Sequence, residues 1–68
     1  MNRRDERLDA LLDRLVIITF TDGDVKTGVL EYGIQPPGCL PYDGYTLYVF
    51  GEGYLKFRKA AVRNIREY

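Results

Sequence analysis

Histidine is absent from this 68-residue chain, and cysteine occurs once, at Cys39. An internal disulfide is therefore excluded, and the usual zinc sites lack the cysteines and histidines they draw on. With no imidazole to activate it and no basic neighbour, the single thiol is expected to be inert. Asp22 and Asp24 flank a hairpin glycine, so both are expected to be solvated and neither is tuned for acid–base work. Gly51-Glu52-Gly53 is too short for a phosphate-binding loop and lacks the lysine and hydroxyl that such a loop needs. These absences point to a binding protein that uses no cofactor, not to an enzyme.

Long apolar runs are missing as well. The longest is Leu15-Val16-Ile17-Ile18, against the ~20 residues a membrane-spanning helix needs. No signal or transit peptide is visible, and a chain with one cysteine is expected in the cytoplasm, away from membranes. A chain of this length has room for one domain, residues 1–68. A core so small yields roughly 3–5 kcal/mol, and such chains lean on disulfides, metals or self-association. Two of the three are removed by composition, so a homo-oligomer is expected.

Charge of either sign is balanced at ten against ten, but it is unevenly spread. Residues 1–14 hold four arginines and four acids. The middle of the chain carries Asp22, Asp24, Glu31, Asp43 and Glu52 against Lys26 alone. Residues 54–68 carry Lys56, Arg58, Lys59, Arg63 and Arg66 against Glu67. Three arrangements are compatible with this. The basic end meets nucleic-acid phosphate; it meets the acidic middle of a neighbouring copy; or the two halves neutralise each other within one domain.

What is present reads as one helix followed by short strands. Leu8, Leu11, Leu12 and Leu15 fall on one helical face, which predicts a helix over 3–15 with Asn2 as N-cap. From Leu15 the apolar period changes to two, with Val16, Ile18 and Phe20 on one side. Asp22-Gly23 predicts a tight hairpin, and Val25–Tyr32 its return strand, with Gly28 marking a bend or bulge. Three prolines and three glycines make residues 33–44 a long loop. Strands follow at Tyr45–Phe50 and Tyr54–Lys59, with Leu55 and Phe57 toward the core. A 3₁₀ turn at Lys59-Ala60-Ala61 precedes a last strand at Val62–Glu67. The expected fold is mainly β: an N-terminal α-helix, then a five-stranded, strongly bent antiparallel small barrel over 15–66.

Two stretches resemble the Sm-like family, which includes the bacterial host-factor RNA chaperone and the archaeal and eukaryotic Sm proteins. Val16-Ile17-Ile18-Thr19-Phe20-Thr21-Asp22-Gly23 with Gly28-Val29-Leu30 resembles the first Sm motif. The run Leu55-Lys56-Phe57-Arg58-Lys59-Ala60-Ala61-Val62-Arg63-Asn64-Ile65 resembles the second, in which an apolar–Arg–Gly step precedes two apolar positions. The chain is also similar to small Sm-like proteins of phages and mobile elements of Gram-positive bacteria. Lys59 stands in place of the motif glycine, Lys26 where an apolar residue is common, and the Asp-x-x-Met-Asn loop signature is missing.

The resemblance implies an Sm-like or SH3-like barrel, assembly into a homo-oligomeric ring by pairing of edge strands, and contact with RNA or single-stranded DNA. Arg58 matches the arginine that lines the RNA pocket of the family. Lys56 and Lys59 extend it into a basic cluster, and Tyr54 offers a flat surface for stacking. Asp43 and Gly44 are nearest to the missing loop signature, and Asp43 and Tyr45 complete the candidate nucleic-acid contacts. Tyr32, Tyr42, Tyr45 and Tyr48 surround the proline-rich loop, where they either pack the loop or offer a protein partner a surface. A protein-interaction module and a structural ring component of a phage or mobile element are the alternatives to a nucleic-acid binder.

Overall fold

The computed structural model describes residues 4–34 and 44–68. It is mainly β, with one short helix, α1 (Glu6–Asp9), and five strands. These are β1 (Leu15–Phe20), β2 (Val25–Tyr32), β3 (Tyr45–Val49), β4 (Gly53–Phe57) and β5 (Val62–Glu67), with a 3₁₀ turn at Lys59–Ala61 before β5. All strand pairings are antiparallel, and the sheet order is β4-β3-β2-β1-β5.

The strands follow the alternation of the sequence. Along β1, Val16, Ile18 and Phe20 are buried and the residues between them are half-buried. The hairpin turns at Gly23, whose φ of 92° is open to glycine and strained for other residues. The Asp22 carboxylate supports the turn by accepting from the Asp24 N–H at 2.9 Å. Gly28 sits where β2 and β3 come closest: a Cβ there would lie 2.2 Å from the Tyr48 carbonyl oxygen. The β1–β2 register runs unbroken through Gly28, and the glycine answers to a backbone approach that excludes any side chain.

The sheet curls around Leu8, Val16, Ile18, Phe20, Leu30, Tyr45, Leu47, Phe57 and Val62. Phe20 at the end of β1 meets Phe57 at the end of β4 edge to face at 5.5 Å, although the two strands are not neighbours. The Thr21 N–H donates to the Ala61 carbonyl at 2.9 Å, tying the hairpin to the 3₁₀ turn. Between Thr19 and Phe20 the β1–β5 register shifts: Thr19 faces Asn64 and Phe20 faces Val62, so Arg63 is the extra, bulged residue.

Three expectations are corrected. The helix covers Glu6–Asp9 and not 3–15, and its N-cap is Asp5, whose side chain accepts from the Arg7 N–H. It stops because the next turn is claimed by the sheet. Asp13 takes a φ of 64°, its N–H donates to the Leu30 carbonyl at 2.7 Å, and the Leu30 N–H returns a bond to Arg14 at 3.2 Å.

The barrel does not close by strand pairing, since β4 and β5 are the two edges of the sheet. Phe57 at the end of β4 and Val62 at the start of β5 are both buried in the core, but no backbone ladder joins the two strands. Leu55, expected in the core, is 36% exposed because it lies on the free edge of β4. Among the described residues, no helix is long and apolar enough to cross a membrane.

Candidate nucleic-acid interface

The basic end of the chain becomes the run from β4 through the 3₁₀ turn to β5, which spans both free edges of the sheet. Arg58 leaves β4 in extended conformation and forms the N-cap position of the 3₁₀ turn. Arg63 is thrown out by the bulge, and Arg66 lies opposite Ile17, on the face away from Ile18 and the core. All three arginines are exposed.

Their surroundings separate them from the other cations. Arg4 pairs with Asp9 at 3.1 Å, Arg7 with Asp5 at 3.1 Å, Arg14 with Glu67 at 3.2 Å and Lys26 with Glu52 at 3.6 Å. The Lys59 ammonium donates to the Arg4 carbonyl at 3.0 Å and so ties the N-terminal segment to the 3₁₀ turn. Arg58, Arg63 and Arg66 make no hydrogen bond or ion pair among the described residues. A guanidinium presents a planar fork of donors suited to phosphate. Each of the three forks is exposed and without an internal carboxylate among the described residues, and so is open to an external anion. Of these, only Arg58 stood out from the motif; the signal for Arg63 and Arg66 was the acid-poor composition of the tail.

The remaining candidates are placed differently from one another. Lys56 and Tyr54 are exposed on β4, beside Arg58 in sequence. Asp43 lies outside the described residues, as do Pro36, Pro37, Pro41 and Tyr42 of the loop expected to receive a protein partner. Tyr45 is only 2% exposed, which rules out a stacking role for its ring. Its hydroxyl donates to Asp9 Oδ1 at 2.6 Å and accepts from the Asp5 N–H at 2.8 Å. Burial, reinforced by the bond to Asp9, pushes the Tyr45 hydroxyl up to about 12. Tyr45 thus holds α1 against the sheet.

Aromatic side chains gather instead on the other face of β3 and β4. Tyr48 faces Tyr54 in register, with ring centroids 5.1 Å apart. Phe50 meets Tyr48 edge to face at 5.4 Å and is 67% exposed. The sequence places Tyr48 beside the proline-rich loop, and no motif in it marks Phe50.

A groove of about 250 Å³ runs along the edge of β4, with Leu55, Lys56 and Phe57 on one wall and Phe20, Asp22 and Asp24 on the other. Asp22 and Asp24 are exposed, and neither pairs with a cation among the described residues. No group of three or more metal-ligating side chains occurs among the described residues. No family model matches the chain, and no curated protein or solved structure matches it significantly.

Proposed function

We propose that this chain is a non-catalytic Sm-like protein of the cytoplasm that binds RNA or single-stranded DNA as a homo-oligomer. The observation that carries the proposal is the unpaired state of Arg58, Arg63 and Arg66, beside four other cations that have found carboxylates. Phosphate contacts would satisfy them, and counterion release would make binding salt-dependent.

Self-association follows from the edges. A free strand edge presents unpaired N–H and C=O groups and invites another strand. Here β4 and β5 are both free, and they differ in sequence, so head-to-tail pairing of one copy's β4 with the next copy's β5 suits them. The groove beside β4 is where the neighbour's side chains would settle. Such pairing would complete between copies the closure that one copy lacks.

Fluorescence anisotropy with labelled U-rich and A-rich oligonucleotides at low salt tests the first part. Wild type is expected to bind and Arg58→Ala to bind more weakly. Undetectable binding by wild type to both would end the proposal.

A second reading is favoured by Asp22 and Asp24, which are unpaired as well. In it the arginines meet these acids on a neighbouring copy, and the assembly itself is the function. Light scattering separates the two: Arg63→Ala/Arg66→Ala dissociates the oligomer under the second reading and leaves its mass unchanged under the first.

A further inference from the structure

We infer that the outer face of β3 and β4 is a stacking platform for unpaired nucleobases, so that the protein takes single strands in preference to duplexes. This rests on the nucleic-acid reading above and adds to it a second surface, one that contacts bases where the arginines contact phosphate.

The platform is built by alternation. Leu47 and Val49 pack on the core, which turns Tyr48 and Phe50 to the opposite face, where Tyr54 joins them from β4. Tyr48 is the hub: Tyr54 leans on it at 57° and Phe50 meets it at 88°. This fixes the three rings against one another while leaving Phe50 67% and Tyr54 43% exposed. Neither Tyr48 nor Tyr54 hydrogen-bonds through its hydroxyl among the described residues, in contrast to Tyr45. Large apolar faces left in water favour an occupant that covers them. The rings are thus already ordered and their outer faces are uncovered.

Charge selects the occupant. Glu52, in the turn before β4, is paired with Lys26. Lys56 lies two residues beyond Tyr54 on the same face of β4. Glu31 lies on that face in the same register row as Lys56, reached through Thr46, so the two charges of that row balance. Tyr54 stands near the start of β4, and the far end of the same strand leads into Arg58, which no carboxylate among the described residues pairs. Exposed rings with an unpaired guanidinium further along the same strand suit a chain whose bases stack on the rings and whose phosphate reaches Arg58. A duplex hides its base faces and can use only the cationic part.

The test uses the full chain, a fluorescein-labelled oligo-dT strand, and the same strand annealed to oligo-dA. Phe50→Ala and Tyr54→Ala are each expected to weaken single-strand binding roughly tenfold. Both are expected to leave the salt slope and the duplex affinity unchanged. Tyr54→Phe keeps the ring and is expected to retain affinity. Thermal melts monitored by circular dichroism confirm folding, which exposed positions tolerate.

Wild-type affinity for the alanine variants together with weak binding by Arg58→Ala would overturn the platform and leave the nucleic-acid reading standing. No binding of oligo-dT by wild type would remove both. Loss of self-association in the alanine variants with oligonucleotide affinity intact would assign the patch to a second copy and overturn the inference.

Discussion

The Tyr45 hydroxyl donates to Asp9 Oδ1 at 2.6 Å, joining β3 to the last residue of α1 across 36 positions of sequence. A helix of four residues has no stability of its own. It is held by Leu8, fully buried, and by this bond, with the Asp5 N–H donating back to the same hydroxyl at 2.8 Å. Tyr45→Phe keeps the ring and removes the hydroxyl. It leaves the Asp5 N–H without its acceptor and removes one bond from the Asp9 carboxylate, which keeps Arg4, at a cost of about 1–3 kcal/mol. Urea unfolding is expected to show that loss with α1 released first, as faster hydrogen exchange at Asp9 and Ala10. An unchanged midpoint would mean that the bond contributes nothing.

The same pair sets a pH window. The Asp9 carboxyl is held below its usual value, first by the Tyr45 hydroxyl and then by Arg4, while Tyr45 is raised to about 12. A lowered acid stabilises the fold above its unfolded pKa, and that stability is lost as pH falls through the folded value. A raised phenol stabilises the fold below its unfolded pKa of about 10, and that stability is lost as pH rises toward about 12. Stability is therefore expected to be flat between roughly pH 5 and 10 and to fall on both sides. Asp9→Asn should flatten the acid limb. An acid limb of full slope in Asp9→Asn would assign acid sensitivity to other carboxylates.

Much of this fold was legible because its signals are local. The switch of apolar period at Leu15, the Asp22-Gly23 turn and the 3₁₀ turn at Lys59 all appear where the chain chemistry puts them. The helix end was not legible. Leu11 and Leu12 keep helical spacing, yet Asp13 and Arg14 are captured by Leu30, a contact between residues far apart in the chain. The site divided in the same way. Exposure of Tyr54, Lys56 and Arg58 follows from strand alternation and the free edge of β4, whereas burial of Tyr45 depends on α1 folding over it. Which cations would be paired could not be read from a tail counted only by charge.

Salt dependence distinguishes the cations of the tail. Each phosphate contact adds about 0.7 to the slope of log affinity against log salt for a single strand. Arg58→Ala and Arg63→Ala are each expected to lower that slope by about one contact. Lys59→Met is expected to leave it nearly unchanged, because the Lys59 ammonium is engaged with the Arg4 carbonyl at 3.0 Å. Titrations across a salt series would read all three. An equal fall in slope for Lys59→Met would place Lys59 among the phosphate contacts.

Gly28 has no room for a side chain. A Cβ there would meet the Tyr48 carbonyl at 2.2 Å from its oxygen and 2.9 Å from its carbon, atoms that no side-chain rotation can move. The β2–β3 ladder must part to admit a methyl group, and overpacking of this kind costs about 1–3 kcal/mol or more. In a domain of roughly 3–5 kcal/mol that is most of the stability. Gly28→Ala is expected to melt without a cooperative transition. A wild-type melting curve would show that the two strands can separate cheaply.

Thr46 marks a reserve of stability. It is fully buried between Glu31 and Lys56 in register, and its hydroxyl has no hydrogen-bond partner among the described residues. A buried hydroxyl without a partner costs about 1–3 kcal/mol, and valine has nearly the same shape without the polar atom. Thr46→Val is therefore expected to raise stability by about 1 kcal/mol, while Thr46→Ser, which keeps the hydroxyl and loses the methyl, is expected to lower it. Urea midpoints of the two variants against wild type decide the matter. A Thr46→Val chain less stable than wild type would mean that the hydroxyl is bonded in solution and that β3 depends on it.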